Sequence, residues 1–231
     1  MIVLYDLLGA DNRRYSPFCW RTRMSLYHKG LPFEDAPIGF SDKDKLAFSG
    51  QGLVPVIVDK AKGGKFVNDS WQIACYLDEA YPAKPLFASE QSRSLSQFLA
   101  NWSGTAIHMG VAPMIIADLH ARVRPHDQAY FRETREKRFG KTLEAMQEGR
   151  EQRLPAFRAG LEPLRMLVRQ QSFICGAQPG YADYIVYGSF QWPLRASDFK
   201  ILDDDDPVAA WIARIDSLYA QELAADGLSP K

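Results

Sequence analysis

The sequence predicts a small α/β domain followed by a larger, all-helical domain. Within the first 80 residues, short runs rich in β-branched and aromatic residues alternate with an amphipathic stretch. After residue 82 the apolar residues recur at helical spacing, and strand-like alternation is absent from the sequence. A chain of 231 residues is long enough to give each of two domains its own core.

The first element is a strand over 2–7, and a helix follows it closely. Ser16 precedes Pro17, and Ser before Pro is typical of a helix start, since the hydroxyl caps the first turn and proline needs no partner there. The helix is expected to end at Gly30. A second strand over 32–38 then completes a strand–helix–strand unit, which predicts a parallel pair.

The next apolar run, 53–58, is a strand by every residue except Pro55. It follows a polar loop over 39–52 that has room for one or two helical turns. Proline cannot donate to a β-ladder, so Pro55 indicates either an edge strand or a special backbone geometry such as a cis bond. In the second case the backbone beside it would be available to pair with a ligand.

The α/β domain ends with a hairpin and a helix. The turn over 60–65 leads to a short strand at 65–67, and Asn68-Asp69-Ser70 opens a helix that Asp69 or Ser70 would cap. The predicted order is therefore β-α-β-loop-β-β-α. Prolines mark residues 82–89 as a linker between a domain at 1–81 and a domain at 90–231. Five helical stretches are predicted in the second domain: 91–122 as one long or two abutting helices, 127–150, 154–170, one beginning at 181, and 207–222.

Composition excludes several classes of function. Lysine plus arginine equals aspartate plus glutamate at 28 each, so nucleic acid and anionic membrane surfaces are not expected partners. The N-terminus lacks the pattern of a signal peptide, and the longest later apolar run, 111–117, is too short to span a bilayer. Three cysteines without a CxxC pair, and four histidines without ligand spacing, argue against a metal site and favour a reducing, cytoplasmic location.

Four local features together resemble the cytosolic glutathione transferase superfamily. They occur in the expected order: Ser16-Pro17-Phe18-Cys19, Val54-Pro55, Asp69-Ser70 and Tyr181-Ala182-Asp183-Tyr184. In the last, Asp183 stands three residues after the helix cap, although Gly180 occupies the position where Ser or Thr is usual. The resemblance implies a thioredoxin-like βαβαββα domain, an all-helical glutathione-transferase C-terminal domain, and a homodimer.

The finer resemblance is to a serine-type branch. Ser16-Pro17-Phe18-Cys19-Trp20-Arg21, His28-Lys29-Gly30, Gly39-Phe40 and the run from Gly149 to Pro155 are similar to the bacterial β-etherases and their fungal ether-cleaving-like relatives. Those enzymes use glutathione to displace an aryloxide from a β-aryl ether next to a carbonyl. The resemblance thus implies glutathione as a co-substrate, with no metal, and a hydrophobic, aromatic second substrate.

The implied glutathione site places Ser16 as the catalytic residue. Its hydroxyl would donate to the glutathione thiolate, and the helix N-terminus would add a positive field. The backbone of Val54 beside cis Pro55 would pair with the cysteinyl unit. Asp69 and Ser70 would hold the γ-glutamyl group. A basic residue of the 39–52 loop would meet the glycyl carboxylate; Lys43 and Lys45 are the candidates.

The electrophile is expected between the domains, against the first helices of the second one. Five candidate wall residues follow from that placement: Trp102, His108, Met109, Met114 and Tyr130. Two alternative functions remain open from the sequence. One is a non-catalytic protein that binds glutathione or a hydrophobic ligand. The other is a glutathione-dependent thiol reductase using Cys19, although Ser16 replaces the first cysteine of the Cys-Pro-x-Cys pattern, and a buried Cys19 is the plainer expectation.

Overall fold

The first 81 residues are built around a four-stranded mixed sheet. We describe residues 1–229 of a computed structural model, so the last two residues of the predicted second domain lie outside the described part. The strands lie in the order β2-β1-β3-β4. Their bounds are β1 Ile2–Leu7, β2 Phe33–Ile38, β3 Val56–Asp59 and β4 Lys65–Asn68.

Strand β1 is the centre of the sheet and brings the predicted parallel pair together. It pairs parallel with β2, from Ile2 opposite Phe33 to Leu7 opposite Ile38. It also pairs antiparallel with β3, which in turn pairs antiparallel with β4. Strand β3 begins at Val56 rather than at residue 53, because Pro55 has no N–H to continue the ladder.

Two α-helices and a 3-10 helix complete this thioredoxin-like domain. Helix α1 spans Pro17–Lys29, and Gly30 ends it in the left-handed region at φ +63°. The second helix of the βαβαββα pattern is a 3-10 helix, Lys43–Ser49. Helix α2 spans Ser70–Ala80. Shorter 3-10 turns occupy Ala10–Asn12 and Lys60–Lys62.

The second domain is helical throughout its described part. Residues 81–89 form neither helix nor strand. The helices that follow are α3 Glu90–Trp102, a π-helix Ser103–His108, α4 Met109–Ala121, α5 Pro125–Phe139, α6 Leu143–Gln147, α7 Arg150–Gly160, α8 Glu162–Gln170, α9 Tyr181–Ala196, α10 Pro207–Leu218 and α11 Ala220–Ala225. None of the helices within residues 1–229 combines the length and apolar character needed to cross a bilayer.

Three predicted helices are divided in the structure. The stretch predicted over 127–150 ends at Gly140, which adopts φ +68°, and α6 and α7 follow as separate helices. The predicted helix over 154–170 divides at Leu161, and the one over 207–222 divides at Tyr219. Apolar spacing continues across each break, so periodicity alone did not reveal them.

Helix α9 forms the centre of the interface between the domains. Thirteen of its 16 residues are buried. Tyr187 meets the Trp20 ring of α1 with centroids 5.9 Å apart, and the Tyr184 hydroxyl lies 2.7 Å from Nδ1 of His28. At Gly188 the backbone of α9 comes so close to α1 that an added Cβ would lie 2.5 Å from the Pro17 carbonyl oxygen. Contacts on α9 therefore set the position of the N-terminus of α1.

A buried ion network ties the end of the described chain to the sheet. Arg23 of α1 is fully buried; it donates to Asp6 of β1 at 2.9 Å and to Asp35 of β2 at 2.5 Å. Asp226, just after α11, accepts from the same guanidinium and from the Tyr27 hydroxyl. Pairing of this kind offsets the cost of burying the charge.

Candidate active site

A cleft of about 440 Å³ opens between the two domains at the N-terminus of α1. We call it the interdomain cleft. The first domain contributes the end of β1, the start of α1 with the two residues before it, and Phe40, which lies two residues past β2. The second domain contributes the π-helix, α4, α5 and α9. Its walls are formed by Leu7, Tyr15, Ser16, Pro17, Phe18, Phe40, Gly104, His108, Met109, Ala112, Ile116, Leu119, Phe131, Arg135, Arg138, Phe139 and Trp192.

Ser16 lies at the N-cap of α1 and lines this cleft. Its Oγ accepts a hydrogen bond from the Cys19 N–H at 3.3 Å, and its side chain is mostly covered, at 7% exposure. Among the hydrogen bonds within residues 1–229 this hydroxyl is only an acceptor. The neighbouring Cys19 thiol also interacts with it, which lowers the thiol pKa against the larger effect of burial. The proton is therefore available to a group in the cleft, beside the positive end of a 13-residue helix.

The loop before Ser16 is held in place by a tryptophan of the same helix. The indole Nε1 of Trp20 donates to the Arg14 carbonyl at 2.8 Å, and the Trp20 ring is buried against α9. Trp20 N–H also donates to the Ser16 carbonyl at 3.0 Å. These bonds restrict the backbone on both sides of the hydroxyl.

Cys19 is closed off from the cleft. It is 1% exposed, and burial raises the pKa of its thiol well above the ordinary value, with the nearby Asp6 carboxylate adding to the effect. A nucleophilic cysteine needs both access and thiolate character. Cys19 has neither, which agrees with the expectation of a small buried side chain.

Val54 and Pro55 are joined by a cis peptide bond. Pro55 is buried, and Val54 packs beside Val56, Ile38 and Leu46. The backbone N–H and C=O of Val54 make no hydrogen bond to any group of residues 1–229. Both groups are thus free for an extended peptide, as an unpaired strand edge would be.

Asp69 and Ser70 form the start of α2. Asp69 accepts from the N–H groups of Trp71 at 2.9 Å and Gln72 at 3.1 Å, and it does so at φ +68°, where a non-glycine residue is strained. Ser70 is buried, and its carbonyl accepts from the Tyr181 hydroxyl at 2.7 Å. The first residue of α9 thereby fixes the first residue of α2.

The two lysines of the 39–52 loop differ in their surroundings. Lys45 pairs with Asp42 at 3.2 Å. Lys43 has no carboxylate partner within residues 1–229; its ammonium lies 5.1 Å from the centre of the Tyr130 ring. Its aliphatic stem lies against Gly52, whose added Cβ would be 3.2 Å from Cδ. Lys43 is the lysine whose charge remains available for a ligand.

Only part of the predicted electrophile wall lies at the cleft. His108 and Met109 line it, whereas Trp102, Met114 and Tyr130 do not. The cleft positions of α4 recur every three or four residues from Met109, so Met114 faces the opposite way and is fully buried in the core. Trp102 is the last residue of α3, and its side chain packs against the hydrophobic core and not at the cleft. The Tyr130 ring turns toward Lys43.

His108 is a half-buried part of the wall with a neutral ring. Burial lowers its pKa to about 4, and the Arg21 charge adds to this. Its Nε2 lies 2.9 Å from the Ser189 hydroxyl, which itself donates to the Ile185 carbonyl at 2.8 Å. Ser189 therefore accepts from His108, which places the ring proton on Nε2 and leaves Nδ1 as an acceptor.

The sequence did not indicate most of the aromatic wall. Missed residues include Tyr15, Phe18, Phe40, Phe131, Phe139, Trp192 and the two arginines Arg135 and Arg138. These residues come from separate segments of the chain. The π-helix, which contributes Gly104 and His108 to the cleft, has no sequence signature. The one available signal was Arg135 four residues after Phe131 on a predicted helix.

No group of three or more His, Cys, Asp or Glu side chains that could hold a metal ion occurs within the described residues. The chemistry available at the cleft is that of a hydroxyl donor at a helix N-terminus, a strand-like backbone and an aromatic wall.

A thioredoxin-like sheet with a cis-proline strand and a helical second domain is the architecture of glutathione-binding transferases. Two family models match the chain: "Glutathione S-transferase, N-terminal domain" over residues 15–80 and "Glutathione S-transferase, C-terminal domain" over residues 94–216. The chain belongs to the glutathione S-transferase family.

Individual relatives agree with this assignment. The mouse glutathione S-transferase omega-1 is 30% identical over 189 residues, which covers 81% of this chain and 67% of the relative. A glutathione S-transferase-like protein of Aspergillus flavus is 26% identical, covering 83% and 79% of the two chains. Among solved structures, a Ceriporiopsis subvermispora glutathione S-transferase in complex with glutathione has a TM-score of 0.82 at 25% identity, covering 94% of this chain and 96% of that one.

Proposed function

We propose that the protein is a serine-type glutathione transferase in which the Ser16 hydroxyl donates to the glutathione thiolate. The observation that carries this proposal is the unused Ser16 proton at the cleft, beside the N-terminus of α1. A thiol of pKa about 8.5 or above is mostly protonated at neutral pH. A hydrogen bond and the helix field would together lower its pKa by about one to two units, which makes most of it reactive.

Residues 1–81 are proposed as the glutathione-binding domain, joined by 82–89 to the substrate domain. The unpaired backbone of Val54 would bind the cysteinyl unit in strand fashion. Asp69 would meet the γ-glutamyl ammonium, and Ser70 with the first N–H groups of α2 would meet its carboxylate. The unpaired Lys43 would meet the glycyl carboxylate.

The second substrate is proposed to be a hydrophobic, aromatic electrophile, and the reaction to be β-aryl ether cleavage. The aromatic wall beside Ser16 and the sequence resemblance to the β-etherase branch support this. The thiolate would attack the carbon next to the carbonyl, a carbon–sulfur bond would form as the carbon–oxygen bond breaks, and the aryloxide would leave and take a proton from water.

Turnover of two substrates tests this function. We expect glutathione-dependent release of a phenol from a β-aryl ether ketone, and none without glutathione. 1-Chloro-2,4-dinitrobenzene serves as a general electrophile. Conjugation of that electrophile without phenol release from a series of such ethers would remove the etherase assignment and keep the transferase. Glutathione binding in calorimetry without turnover of any electrophile would favour the non-catalytic alternative.

We further propose a cytoplasmic homodimer. No disulfide joins the cysteines of the described chain, in keeping with a reducing compartment. Large apolar side chains are exposed on both domains: Phe66 at 47%, Leu95 at 64% and Phe98 at 65%. Sedimentation equilibrium should give twice the chain mass. A monomer at micromolar concentration would contradict the dimer.

A further inference from the structure

Two arginines of α5 lie on the wall of the interdomain cleft, and the proposed reaction does not use them. The Arg135 guanidinium is held between two rings of that wall, with its Cζ 4.5 Å from the centre of Phe131 and 5.0 Å from the centre of Phe40. Arg138 is one helical turn further along α5 and exposed. Both side chains line the same cleft as Ser16.

The charges of Arg135 and Arg138 are not neutralised. On the same helix Arg132 pairs with Glu136 at 2.8 Å and Glu144 at 2.7 Å. Arg124, directly before this helix, pairs with Asp42 and Asp127. Within residues 1–229, neither Arg135 nor Arg138 has such a carboxylate; Arg135 donates only to the Thr134 hydroxyl, at 2.8 Å. Two neighbouring positive charges therefore face the cleft without a counter-charge.

The buried hydroxyl group of Tyr15 belongs to a side chain that stacks on Phe40, one of the two rings around Arg135. The Tyr15 side chain is 1% exposed, and its Oη has no hydrogen-bond partner among the described residues. Its ring stacks on Phe40 with centroids 6.2 Å apart, so Tyr15 and Arg135 both contact Phe40. A buried phenol that donates to nothing costs stability unless a ligand accepts its proton.

We propose that this end of the cleft is an anion subsite, in which Arg135, supported by Arg138 and the Tyr15 hydroxyl, binds a carboxylate carried on an aromatic ligand. The ring of the ligand packs among Phe40, Phe131 and Phe139. If the transferase function holds, the electrophile is an aryl carboxylate; this identification of the substrate rests on the proposed function, whereas binding of the anion does not.

Burial makes this subsite selective. The guanidinium of Arg135 is partly desolvated, and burial lowers its pKa, with the Arg138 charge acting in the same direction. A carboxylate placed here would supply the missing counter-charge and form a charge-assisted hydrogen bond in a low-dielectric site. An uncharged ligand of the same shape would gain only the apolar contacts.

Binding of a matched pair of inert ligands tests the subsite. Naphthalene-2-carboxylate and naphthalene-2-carboxamide have similar shapes and differ in charge, and neither is an electrophile. By calorimetry we expect the wild type to bind the carboxylate about 10-fold more tightly. Arg135→Gln should reduce this preference to within about twofold, while Arg132→Gln, on the same helix but already paired, should keep it.

The outcomes separate this inference from the transferase function. Equal binding of the two ligands by the wild type overturns the subsite without any variant, even if Arg135→Gln fails to fold. An equal loss for both ligands in a folded Arg135→Gln overturns it as well. Turnover is then measured with 4-chloro-3-nitrobenzoate and 4-chloro-3-nitrobenzamide. Preferential binding of the carboxylate, without turnover of these two substrates or of 1-chloro-2,4-dinitrobenzene, supports the subsite and removes the transferase. Conjugation of 1-chloro-2,4-dinitrobenzene together with equal binding of the two naphthalene ligands does the reverse.

Discussion

Gly188 of α9 packs directly against Pro17 of α1, where the two domains meet. A Cβ at Gly188 would lie 2.5 Å from the Pro17 carbonyl oxygen and 3.2 Å from the Trp20 Cβ. Pro17 directly follows Ser16, so this contact helps to position the hydroxyl at the cleft. The proposed activity depends on where α9 holds α1.

Gly188→Ala should therefore destabilise the protein and lower its activity. The methyl group would push α9 away from the backbone of α1, at a cost of about 2 kcal/mol in the free energy of unfolding. Urea unfolding and kcat measure the two effects. Gly160→Ala is the matched control, since nothing lies within 4 Å of its added Cβ, and it should be neutral or slightly stabilising. Equal stability of the two variants would show that the helices can separate freely.

Ser16→Ala tests the thiolate activator. We expect kcat to fall on the order of 10- to 1,000-fold, since one preorganised donor is lost, with the glutathione dissociation constant nearly unchanged. The thiol absorbance of bound glutathione near 240 nm should titrate at higher pH than in the wild type. Ser89 serves as the control. Its hydroxyl also caps a helix, accepting from the Ser92 N–H at 3.1 Å, but it lies outside the cleft. Ser89→Ala should lose similar stability and keep full activity.

Lys43→Ala should raise the KM for glutathione by about fivefold, because a charged hydrogen bond to the glycyl carboxylate would be lost. Lys45→Ala should leave KM unchanged, since Lys45 already pairs with Asp42. Initial rates at varied glutathione measure both values. A reversed pattern would move the glycyl contact to Lys45.

The lowered pKa of His108 should make the folded protein less stable to unfolding as the pH falls. Its pKa in the folded protein is about 4, below the ordinary value of 6.5, so the unfolded state binds a proton first as the pH falls. Its contribution is complete above pH 6.5 and declines between pH 6.5 and 4, by up to about 3 kcal/mol. Urea unfolding of the wild type and His108→Gln over this range isolates the effect. Parallel curves for the two proteins would show that the folded protein does not hold the ring in its neutral form.

Cys19→Ala should keep transferase activity within about twofold, because the thiol is buried and protonated. Reduction of a glutathione mixed disulfide is expected to be absent in both proteins. A reductase activity present in the wild type and lost in Cys19→Ala would instead establish the thiol reductase alternative.

The first domain was predictable because its signals are local. The strand over 2–7 and the helix from Pro17 to Gly30 agree with the structure, since a cap, a proline and a glycine marked their ends. The cis bond before Pro55 was one of two alternatives, and the structure contains it. The glutathione contacts expected of Val54, Asp69 and Ser70 came from the family resemblance, and they remain predictions.

The cleft wall was not predictable in the same way. Phe40 lies in the first domain, whereas Phe131 and Arg135 lie in the second, so they come together only when the domains pack. How the domains pack could not be predicted from a single sequence. Met114 was expected on the cleft wall but lies in the core. Aromatic and methionine residues at helical spacing indicate that a helix has an apolar face, but not whether that face meets the cleft or the core. The break at Gly140 follows from a left-handed backbone that glycine permits but does not require.

Helix α9 contacts the starts of both helices that frame the proposed glutathione site. Gly188 touches Pro17, and the Tyr181 hydroxyl donates to the Ser70 carbonyl. Exchange of whole domains between relatives would therefore disturb the thiol site as well as the electrophile site. A recombinant in which α9 and the first domain come from the same parent should retain glutathione binding. A recombinant with α9 from another parent should retain it only if that helix has a small residue at position 188.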